Sequence, residues 1–504
     1  MKHLLLFPIV LFSIFSFGQK KAANPKPFAE SITDAELKKQ LYIVAGKEME
    51  GRETATEGQK KAASYIEDQF KAMGLLPGNN GSFQLTFPVY RDSIVKSRMI
   101  VNGKELKMGE DFQPSLNFGS SNTMFFSEVT FAGYGIVDST YSSYGTDNVR
   151  GKAVLIADGK PEGFTSKRTG FFGPATTFGK ILSAQEKGAA AIFLVVPALR
   201  PLSMGNMYVN LFKAAQSPAV YSITEKTAEI LFGPSWASMK ADIKPKLTPV
   251  KMEVQLELNK KLQKMQSSNV LGAIEGTDKK NEYLIVTAHY DHLGKRGDVI
   301  NYGADDDGSG TVGVIEIARA FQKAKAAGKG PRRSIIFMTV SGEEKGLWGS
   351  EYYTNHPTVN PEMITANLNI DMIGRVDTER KKADTLNYIY VVGDDKLSTD
   401  LKPLSESVNN KYSKLYLDYK FNDPKDPERI YFRSNHYNVA RIGGPIIVYY
   451  DGMRKADYHK PTDTPDKINY KLLAKRAQLV FYTAWEMANR EAMMKRDIPL
   501  PKME

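Results

Sequence analysis

Seven polar side chains, spread over five separate segments of the chain, have the types that bind metal ions and use them. The segments are AHYDHLG, GADDDGSG, SGEEKGLWGS, NIDMIGR and YHKPTDT, and the side chains are His289, Asp291, Asp306, Glu343, Glu344, Asp371 and His459. Imidazole nitrogens and carboxylate oxygens, without any thiolate, are the ligands of paired zinc ions in hydrolytic sites. Each motif alone has a plain structural explanation, since acidic residues are common in turns. Together they predict a two-metal site that hydrolyses a substrate, with an amide bond as the leading expectation.

The elements around these motifs follow a regular alternation. From Asn269 onward, the apolar runs YLIVTA, SIIFMTV, ITANLNIDM, YIYVVG and PIIVYY are separated by helical stretches such as Gly310 to Lys325 and Leu472 to Ala488. Continuous apolar strands that alternate with helices are typical of an α/β fold whose sheet is covered on both faces. We therefore expect a mostly parallel mixed sheet sandwiched by helices.

The candidate ligands lie where these predicted strands end. His289 follows YLIVTA, Glu343 and Glu344 follow SIIFMTV, and Asp371 ends ITANLNI. The carboxyl ends of parallel strands meet at one edge of a sheet, where loops that are distant in sequence converge. This placement predicts one site rather than several.

The rest of the chain divides into recognisable parts. The stretch from Asp34 to Leu75 has helical apolar spacing. Short apolar strands punctuated by glycine, such as VTFAGYGIV and GKAVLIADG, indicate a separate β-rich unit. The expected division is a signal peptide at 1–18, an N-terminal part of the main domain at 19–124, the β-rich insert at 125–255 and the catalytic part at 256–504.

Composition narrows the classes of function. The chain has 504 residues, of which 42% are hydrophobic and 25% charged, as in soluble globular proteins of more than one domain. The net charge of +11 is not concentrated in any block of consecutive Lys and Arg, so we expect no nucleic-acid partner. The absence of cysteine excludes disulfides, thiolate metal sites and thiol nucleophiles.

The first residues have the pattern of a secretory signal. Lys2 and His3 precede an apolar run from Leu4 to Phe17, and the small residues Ser16 and Gly18 close it. The run is short for a membrane span, although a retained anchor is the alternative. We expect an exported protein, periplasmic or secreted, without stable membrane insertion after the signal is removed.

These motifs carry a family resemblance. Residues 269–470 resemble the catalytic domain of the co-catalytic di-zinc aminopeptidases, a superfamily that also holds glutamate carboxypeptidase, glutaminyl cyclase and the transferrin receptor. The matching residues are AHYDHLG, GADDDGSG, the two glutamates of SGEEKGLWGS, the aspartate of NIDMIGR and the histidine of YHKPTDTPDKI. GRETATEGQKKAASYIEDQF resembles the opening of that domain, and residues 125–255 resemble the protease-associated domain.

The resemblance implies a set of metal ligands. Asp306 would bridge two zinc ions, since a carboxylate can bind through both oxygens and an imidazole cannot. His289 and Asp371 would complete the shell of one ion, and Glu344 and His459 the shell of the other.

It also implies the catalytic roles. Glu343 would be the general base and acid, Asp291 would accept the other ring N–H of His289, and Tyr458 would donate to the oxyanion. The peptide bond between Asp306 and Asp307 is expected to be cis.

Two further histidines have weaker interpretations. His292, beside the first motif, is expected to be structural or to support the ligands. His436, in RSNHYN, matches a family segment that usually reads Ser-Asp-His, but here Asn435 replaces the aspartate. His436 is expected to have no role in the site, and a position in the wall of the pocket is the alternative.

The resulting hypothesis is an exported exopeptidase with two zinc ions per chain, acting as an aminopeptidase on peptides with a free N-terminus. A carboxypeptidase or dipeptidase with the same metals is the nearest alternative. No arginine cluster that would bind a substrate carboxylate is visible in the sequence, which favours the aminopeptidase. A glutaminyl cyclase is less favoured because it uses one metal ion. A non-catalytic receptor-like protein is disfavoured because no ligand is missing.

Overall fold

The chain folds into a mixed α/β structure built on one large sheet. The computed structural model describes residues 23–168, 173–200, 208–210, 217–241, 243–381 and 384–501. The predicted fold class, a mixed sheet between helices, is confirmed. The predicted signal peptide at 1–18 lies outside the described residues.

The strands and helices have the following bounds. The strands are β1 (Leu76–Pro77), β2 (Gln84–Val101), β3 (Lys104–Leu106), β4 (Phe112–Pro114), β5 (Asn122–Phe131), β6 (Ala153–Ile156), β7 (Ala191–Val196), β8 (Tyr208–Asn210), β9 (Ala219–Thr224), β10 (Thr248–Ile274), β11 (Lys279–His289), β12 (Lys295–Arg296), β13 (Val299–Ile300), β14 (Arg333–Val340), β15 (Ile364–Ile370), β16 (Tyr388–Val392), β17 (Tyr416–Asp418) and β18 (Ile446–Tyr450). The helices are α1 (Lys26–Ala29), α2 (Asp34–Val44), α3 (Glu57–Ala72), α4 (Thr177–Glu186), α5 (Glu225–Phe232), α6 (Pro234–Ala241), α7 (Gly310–Ala326), α8 (Trp348–Asn355), α9 (Leu401–Val408), α10 (His436–Arg441) and α11 (Tyr470–Asn489).

The sheet contains two blocks of parallel strands. Its order is β17-β16-β18-β15-β11-β14-β10-β5-β6-β7-β9-β4. The catalytic block is β18, β15, β11 and β14, which run parallel to one another. The insert block is β5, β6, β7 and β9, which are also mutually parallel. The long strand β10 joins the blocks, because it pairs antiparallel with β14 at one end and with β5 at the other.

The catalytic block is buried on both faces. One row across its strands is Phe337, Val286, Leu368 and Ile447, which pack in the main core with α7 and α11. The alternate side chain Ile285 faces the opposite way, where Tyr353 of α8 packs. Cover on both faces explains why these strands are apolar throughout rather than alternating.

The insert block has its own two-sided core. Leu155 of β6 packs on the face that holds Trp236, and the next residue, Ile156, packs on the face that holds Ile181 of α4. The first of these faces also holds Met99 and other residues that precede the predicted start of the insert at 125. The predicted boundary at 255/256 falls inside β10. The domain division stays a prediction, with a core that begins earlier in the chain than expected.

The predicted continuous helical stretch from Asp34 to Leu75 is wrong in its middle. It consists of α2 and α3 with a short 3-10 segment, Lys47–Arg52, between them. Glu50, Gly51 and Arg52 have positive φ angles of 51°, 68° and 52°, which no α-helix contains. Because of this break, the side chain of Arg52 lies against the loops that carry the candidate site.

Among the described residues, the helices are either too short or too polar to cross a bilayer.

Candidate metal centre

The catalytic block brings the predicted ligands to one edge of the sheet. His289 is the last residue of β11, Asp371 follows β15 directly, and Glu343 and Glu344 come three and four residues after the end of β14. His459 lies in the loop after β18. Since these four strands are parallel neighbours, their carboxyl ends meet, as the sequence predicts.

One group of donors forms around His289. Its Nε2 lies 3.2 Å from Oδ1 of Asp306 and 3.8 Å from Oδ1 of Asp371. The imidazole is buried, and the side chain of Asp371 is 16% exposed toward the cavity. These three donors lie close enough together to hold one ion.

A second group forms on the other oxygen of the same aspartate. Oδ2 of Asp306 lies 3.2 Å from Nε2 of His459, which in turn lies 3.1 Å from Oε2 of Glu344. The carboxylate of Asp306 therefore stands between His289 and His459, with one oxygen toward each. This is the arrangement that a bridging ligand requires.

The neighbours of Asp306 fix the loop that carries it. The Asp307 carboxylate accepts hydrogen bonds from the backbone N–H groups of His289 (3.1 Å), Gly310 (2.9 Å) and Met372 (3.0 Å). It thereby ties together the loops of two strands and the start of α7. The carboxylate of Asp463 accepts from the backbone N–H of Asp306 at 3.1 Å. The peptide bond between Asp306 and Asp307 is cis, as expected.

The predicted role of Asp291 needs a correction. The ring nitrogen Nδ1 of His289 lies 3.1 Å from the backbone carbonyl of Asp291 and 3.7 Å from its carboxylate, so the carbonyl is the hydrogen-bond acceptor. The carboxylate instead accepts from the Thr54 hydroxyl at 2.8 Å and from the Glu343 backbone N–H at 3.1 Å. A donor bond from Nδ1–H leaves the lone pair of Nε2 free for a metal ion. Asp291 therefore positions both His289 and Glu343.

Glu343 reaches the space between the two groups. Its Oε2 lies 4.0 Å from Nε2 of His289, and its side chain is 12% exposed. Burial raises the pKa of Glu343 well above its usual range, and the carboxylates of Glu344 and Asp371 add to this against the opposing effect of His289. A carboxylate whose pKa is moved toward neutrality is suited to take up and return a proton.

Tyr458 stands at the cavity beside the last ligand. Its ring stacks on His459 with 3.8 Å between the ring centroids. Burial, with the charge of Asp306, raises the pKa of Tyr458 well above its ordinary value. The hydroxyl therefore stays protonated and available as a donor.

These groups line a cavity of about 310 Å³. Its wall is formed by His289, Asp306, Glu343, Glu344, Gly346, Asp371, Met372, Ile430, Arg433, Ser434, Val448, Tyr450, Arg454, Tyr458 and His459. Two of these residues are arginines, which the sequence did not reveal as a cluster. Arg454 pairs with Glu428, and Arg433 donates to the hydroxyl of Tyr458 at 3.3 Å. They are 21 positions apart in sequence and meet only through the loops, so no local pattern could have revealed them.

Arg52 is a structural residue of the site that sequence reasoning missed. Its buried guanidinium donates to the carbonyls of Tyr290 (2.6 Å), Val44 (2.9 Å), Tyr302 (2.8 Å) and Gly303 (2.8 Å). It therefore clamps the loop after β11 to the loop that leads to Asp306. Its place in GRETATEG was the only available signal.

The two additional histidines have different environments. His436 is buried, shares a 2.7 Å hydrogen bond through Nε2 with the carbonyl of Tyr431, and does not line the cavity. Burial lowers the pKa of His436 to about 4. His292 is also buried, but its Nδ1 lies 2.8 Å from Oε1 of Glu344.

The donor set fits divalent metal ions. Burial alone would lower the pKa of His289, but Glu343 and the hydrogen-bonding carboxylates around it raise that pKa well above its usual range. The cluster thus holds more negative charge than its imidazoles compensate. Oδ2 of Asp306 and Oε1 of Glu344 are buried without a hydrogen-bond partner among the described residues. Buried unpaired carboxylate oxygens are costly, and a cation placed between them removes that cost.

Comparison with known proteins agrees with this chemistry. Residues 269–484 match Peptidase family M28. A probable zinc metalloprotease of Pyrenophora teres f. teres (strain 0-1) is 35% identical over 122 residues, which are 23% of this chain and 24% of that protein. A probable leucine aminopeptidase of Trichophyton verrucosum (strain HKI 0517) is 29% identical over 216 residues, 42% of this chain and 55% of that protein. The match spans about a quarter of the length of the first of these relatives.

Solved structures share the fold over nearly the whole chain. An aminopeptidase from Aneurinibacillus sp. strain AM-1 aligns with 95% of this chain and 100% of its own, with a TM-score of 0.57 at 18% identity. BSAP, a zinc aminopeptidase from Bacillus subtilis, aligns with 93% of this chain and 99% of its own, with a TM-score of 0.53 at 19% identity. The match of residues 269–484 contains every predicted ligand and confirms that this part of the chain resembles Peptidase family M28, while the solved structures show the shared fold.

Proposed function

We propose that this protein is a zinc-dependent aminopeptidase that holds two zinc ions and removes N-terminal residues from peptides. The observation that carries the proposal is the meeting of His289, Asp371, Glu344 and His459 around the two oxygens of Asp306, with Glu343 beside them. The match of residues 269–484 to Peptidase family M28 supports peptide hydrolysis, and relatives described as a probable zinc metalloprotease and a probable leucine aminopeptidase support the metal and the direction of cleavage.

The side chains of this chain have distinct tasks in that reaction. When bound, the metal ions would supply Lewis-acid chemistry that polarises the scissile carbonyl and acidifies water. Glu343 accepts a proton at its carboxylate as the water oxygen bonds to the carbonyl carbon, and it delivers that proton to the departing amine nitrogen as the C–N bond breaks. Tyr458, kept protonated by burial, donates a hydrogen bond to the developing oxyanion.

The arginines in the cavity favour a second candidate. Arg433 makes no ion pair with any described residue, whereas the charge of Arg454 is compensated by Glu428. An unpaired guanidinium beside the metal centre is suited to bind a substrate carboxylate through two parallel hydrogen bonds. A carboxypeptidase or dipeptidase that uses the same metals is therefore the alternative that the experiment must separate.

Export and the identity of the insert are further parts of the proposal. The charged start and short apolar run of residues 1–18 support export to the periplasm or the medium. Cell fractionation with sequencing of the N-terminus tests this, and protein found only in the cytoplasm with Met1 intact would contradict it. The insert block is proposed to be a protease-associated domain that flanks the cleft, on the grounds of the sequence resemblance.

The experiment is hydrolysis of a small peptide panel, each peptide prepared with a free or acetylated N-terminus and with a free or amidated C-terminus. We expect cleavage of every peptide with a free N-terminus, whatever its C-terminus, and complete loss after chelation. Cleavage that requires a free C-terminus would establish the carboxypeptidase, and a requirement for both free ends would establish a dipeptidase. Cleavage of no peptide by the two-zinc protein would overturn the proposal in favour of a binding role.

A further inference from the structure

His292 lies against the second group of ligands rather than in a neutral part of the core. Its side chain is fully buried, and its Nδ1 is 2.8 Å from Oε1 of Glu344 and 3.9 Å from Oδ2 of Asp306. These three atoms lie close enough together to hold one ion.

The contact between His292 and Glu344 does not have the geometry of a hydrogen bond. Nδ1 of His292, Oε1 of Glu344 and Oδ2 of Asp306 are all buried and have no hydrogen-bond partner among the described residues. A neutral imidazole that served only to orient Glu344 would aim its N–H at the carboxylate. His292 Nδ1 and Glu344 Oε1 thus lie 2.8 Å apart without hydrogen-bond geometry, as two ligands that both point toward one ion would.

We propose that His292 is a ligand of the second zinc ion through Nδ1, together with Asp306, Glu344 and His459; the assignment rests on the two-zinc function proposed above. Zinc lies ~2.0–2.2 Å from nitrogen and oxygen ligands, so ligands of one tetrahedral ion lie ~3.3–3.6 Å apart. The separations of 3.2 Å from His459 to Oδ2 of Asp306, 3.1 Å from His459 to Oε2 of Glu344 and 3.9 Å from His292 to Oδ2 of Asp306 bracket that spacing. The 2.8 Å from His292 to Oε1 of Glu344 is shorter than it.

The fold holds the His292 ring in this place from two sides. The backbone N–H of His292 donates to the carbonyl of Arg52 at 3.2 Å. Gly303, with a φ of 54°, lies against the ring, and a Cβ there would stand 2.5 Å from Cγ of His292. Arg52 donates to the carbonyl of Gly303 at 2.8 Å and so fixes that close approach. A glycine is required at this position for both its conformation and its size.

The two ion sites then differ in their protein ligands. His289, Asp306 and Asp371 offer three donors to the first ion, whereas the second ion receives four from Asp306, Glu344, His459 and His292. A four-ligand set is the closed arrangement of tightly held zinc, and a three-ligand set leaves a position open for water or substrate. The second ion is therefore the more tightly bound and the first the one that exchanges.

The test is a zinc titration of the metal-free protein against a competing chelator, without substrate. Wild type is expected to bind two ions in resolved steps. His292→Gln should weaken the tighter step by more than ~10–100-fold, the range lost when an outer-shell partner is removed, and change the weaker step little. His356→Gln, at an exposed histidine, is the matched control and should change neither step. An unchanged tighter step in His292→Gln would overturn the proposal.

X-ray absorption at the zinc edge gives a readout that needs no variant. Wild type with two ions should show imidazole scattering from three histidines, His289, His292 and His459, and scattering from two would overturn the assignment. This measurement decides the question even if His292→Gln does not fold. Failure of the aminopeptidase proposal remains distinguishable, because it would appear as two bound ions with three imidazoles and no peptide cleavage.

Discussion

The catalytic block and the insert block share one architecture but differ at the ends of their strands. Both are parallel, covered on two faces and joined through β10. At the carboxyl ends of the catalytic strands stand buried carboxylates, of which Asp306 and Glu344 each keep an oxygen without a hydrogen-bond partner among the described residues. At the end of β6 in the insert, the buried ammonium of Lys180 donates to the carbonyls of Ala157 (3.0 Å) and Gly159 (2.6 Å).

This difference shows how function is placed on a common architecture. A buried charge whose hydrogen-bond partners lie in the protein is structural. Converging buried charges that lack such partners require a bound ion or ligand. The parallel sheet supplies an edge in both blocks, and the side chains at that edge decide whether it becomes a site. Variants at the two edges test this difference.

The largest effect is expected at the bridging position. Asp306→Ala removes the one carboxylate shared by both groups, so metal content should fall from two ions to one or none, and peptidase activity should fall to background. Metal analysis after dialysis and an activity assay measure this. Asp298→Ala, at an exposed aspartate of a neighbouring loop, should leave both unchanged. Two tightly bound zinc ions in Asp306→Ala would refute the bridge.

The next largest effect separates catalysis from binding at the same edge. Glu343→Gln removes the proposed proton acceptor but none of the proposed ligands, so both ions should remain while kcat falls by ~10²–10⁴-fold. Glu362→Gln, at an exposed glutamate, is the control. Near-normal turnover in Glu343→Gln would show that another group moves the proton.

A smaller loss is expected at the cavity wall. Tyr458→Phe removes one hydroxyl donor, so kcat should fall by ~10²-fold, the lower end of the range for an oxyanion donor, with KM and metal content nearly unchanged. Tyr42→Phe, at a tyrosine that is 47% exposed, provides the comparison. A change confined to KM would mean that the hydroxyl binds substrate but not the oxyanion.

The smallest effect is expected at the edge of the insert, and it concerns stability. Burial lowers the pKa of Lys180 to about 8 from 10.5. Between these values the unfolded chain still holds a proton that the folded chain has released, so this residue makes the free energy of unfolding rise with pH. From pH 8 to 9.5 the gain should be ~1–2 kcal/mol.

Thermal unfolding of wild type and Lys180→Met over that pH range measures the contribution. The difference in Tm should grow in favour of wild type as pH rises, and Lys160→Met, at an exposed lysine near the same strand end, should show no such trend. Metal content should be the same in all three proteins. A loss of zinc in Lys180→Met would break the comparison, because the insert edge would then be coupled to the metal centre.

Much of the fold was accessible from the sequence because its signals are local. Apolar runs such as SIIFMTV became buried strands, and the predicted helices at 310–325 and 472–488 became α7 and α11. The break between α2 and α3 was missed, although Gly46 and Gly51 lie in it. Its cause is tertiary: Arg52 leaves the helical conformation to reach carbonyls of the loops beyond β11.

The amino-acid sequence was sufficient to identify which side chains could hold metal ions and to predict that they meet at one edge, because residue type and strand order are local properties of the chain. Three contacts required the folded structure: the Asp291 carbonyl, not its carboxylate, orients His289, Arg433 lines the cavity, and His292 faces Glu344. These contacts depend on the distances between loops that are far apart in sequence. Such distances are set by packing, and no local pattern of residues encodes them.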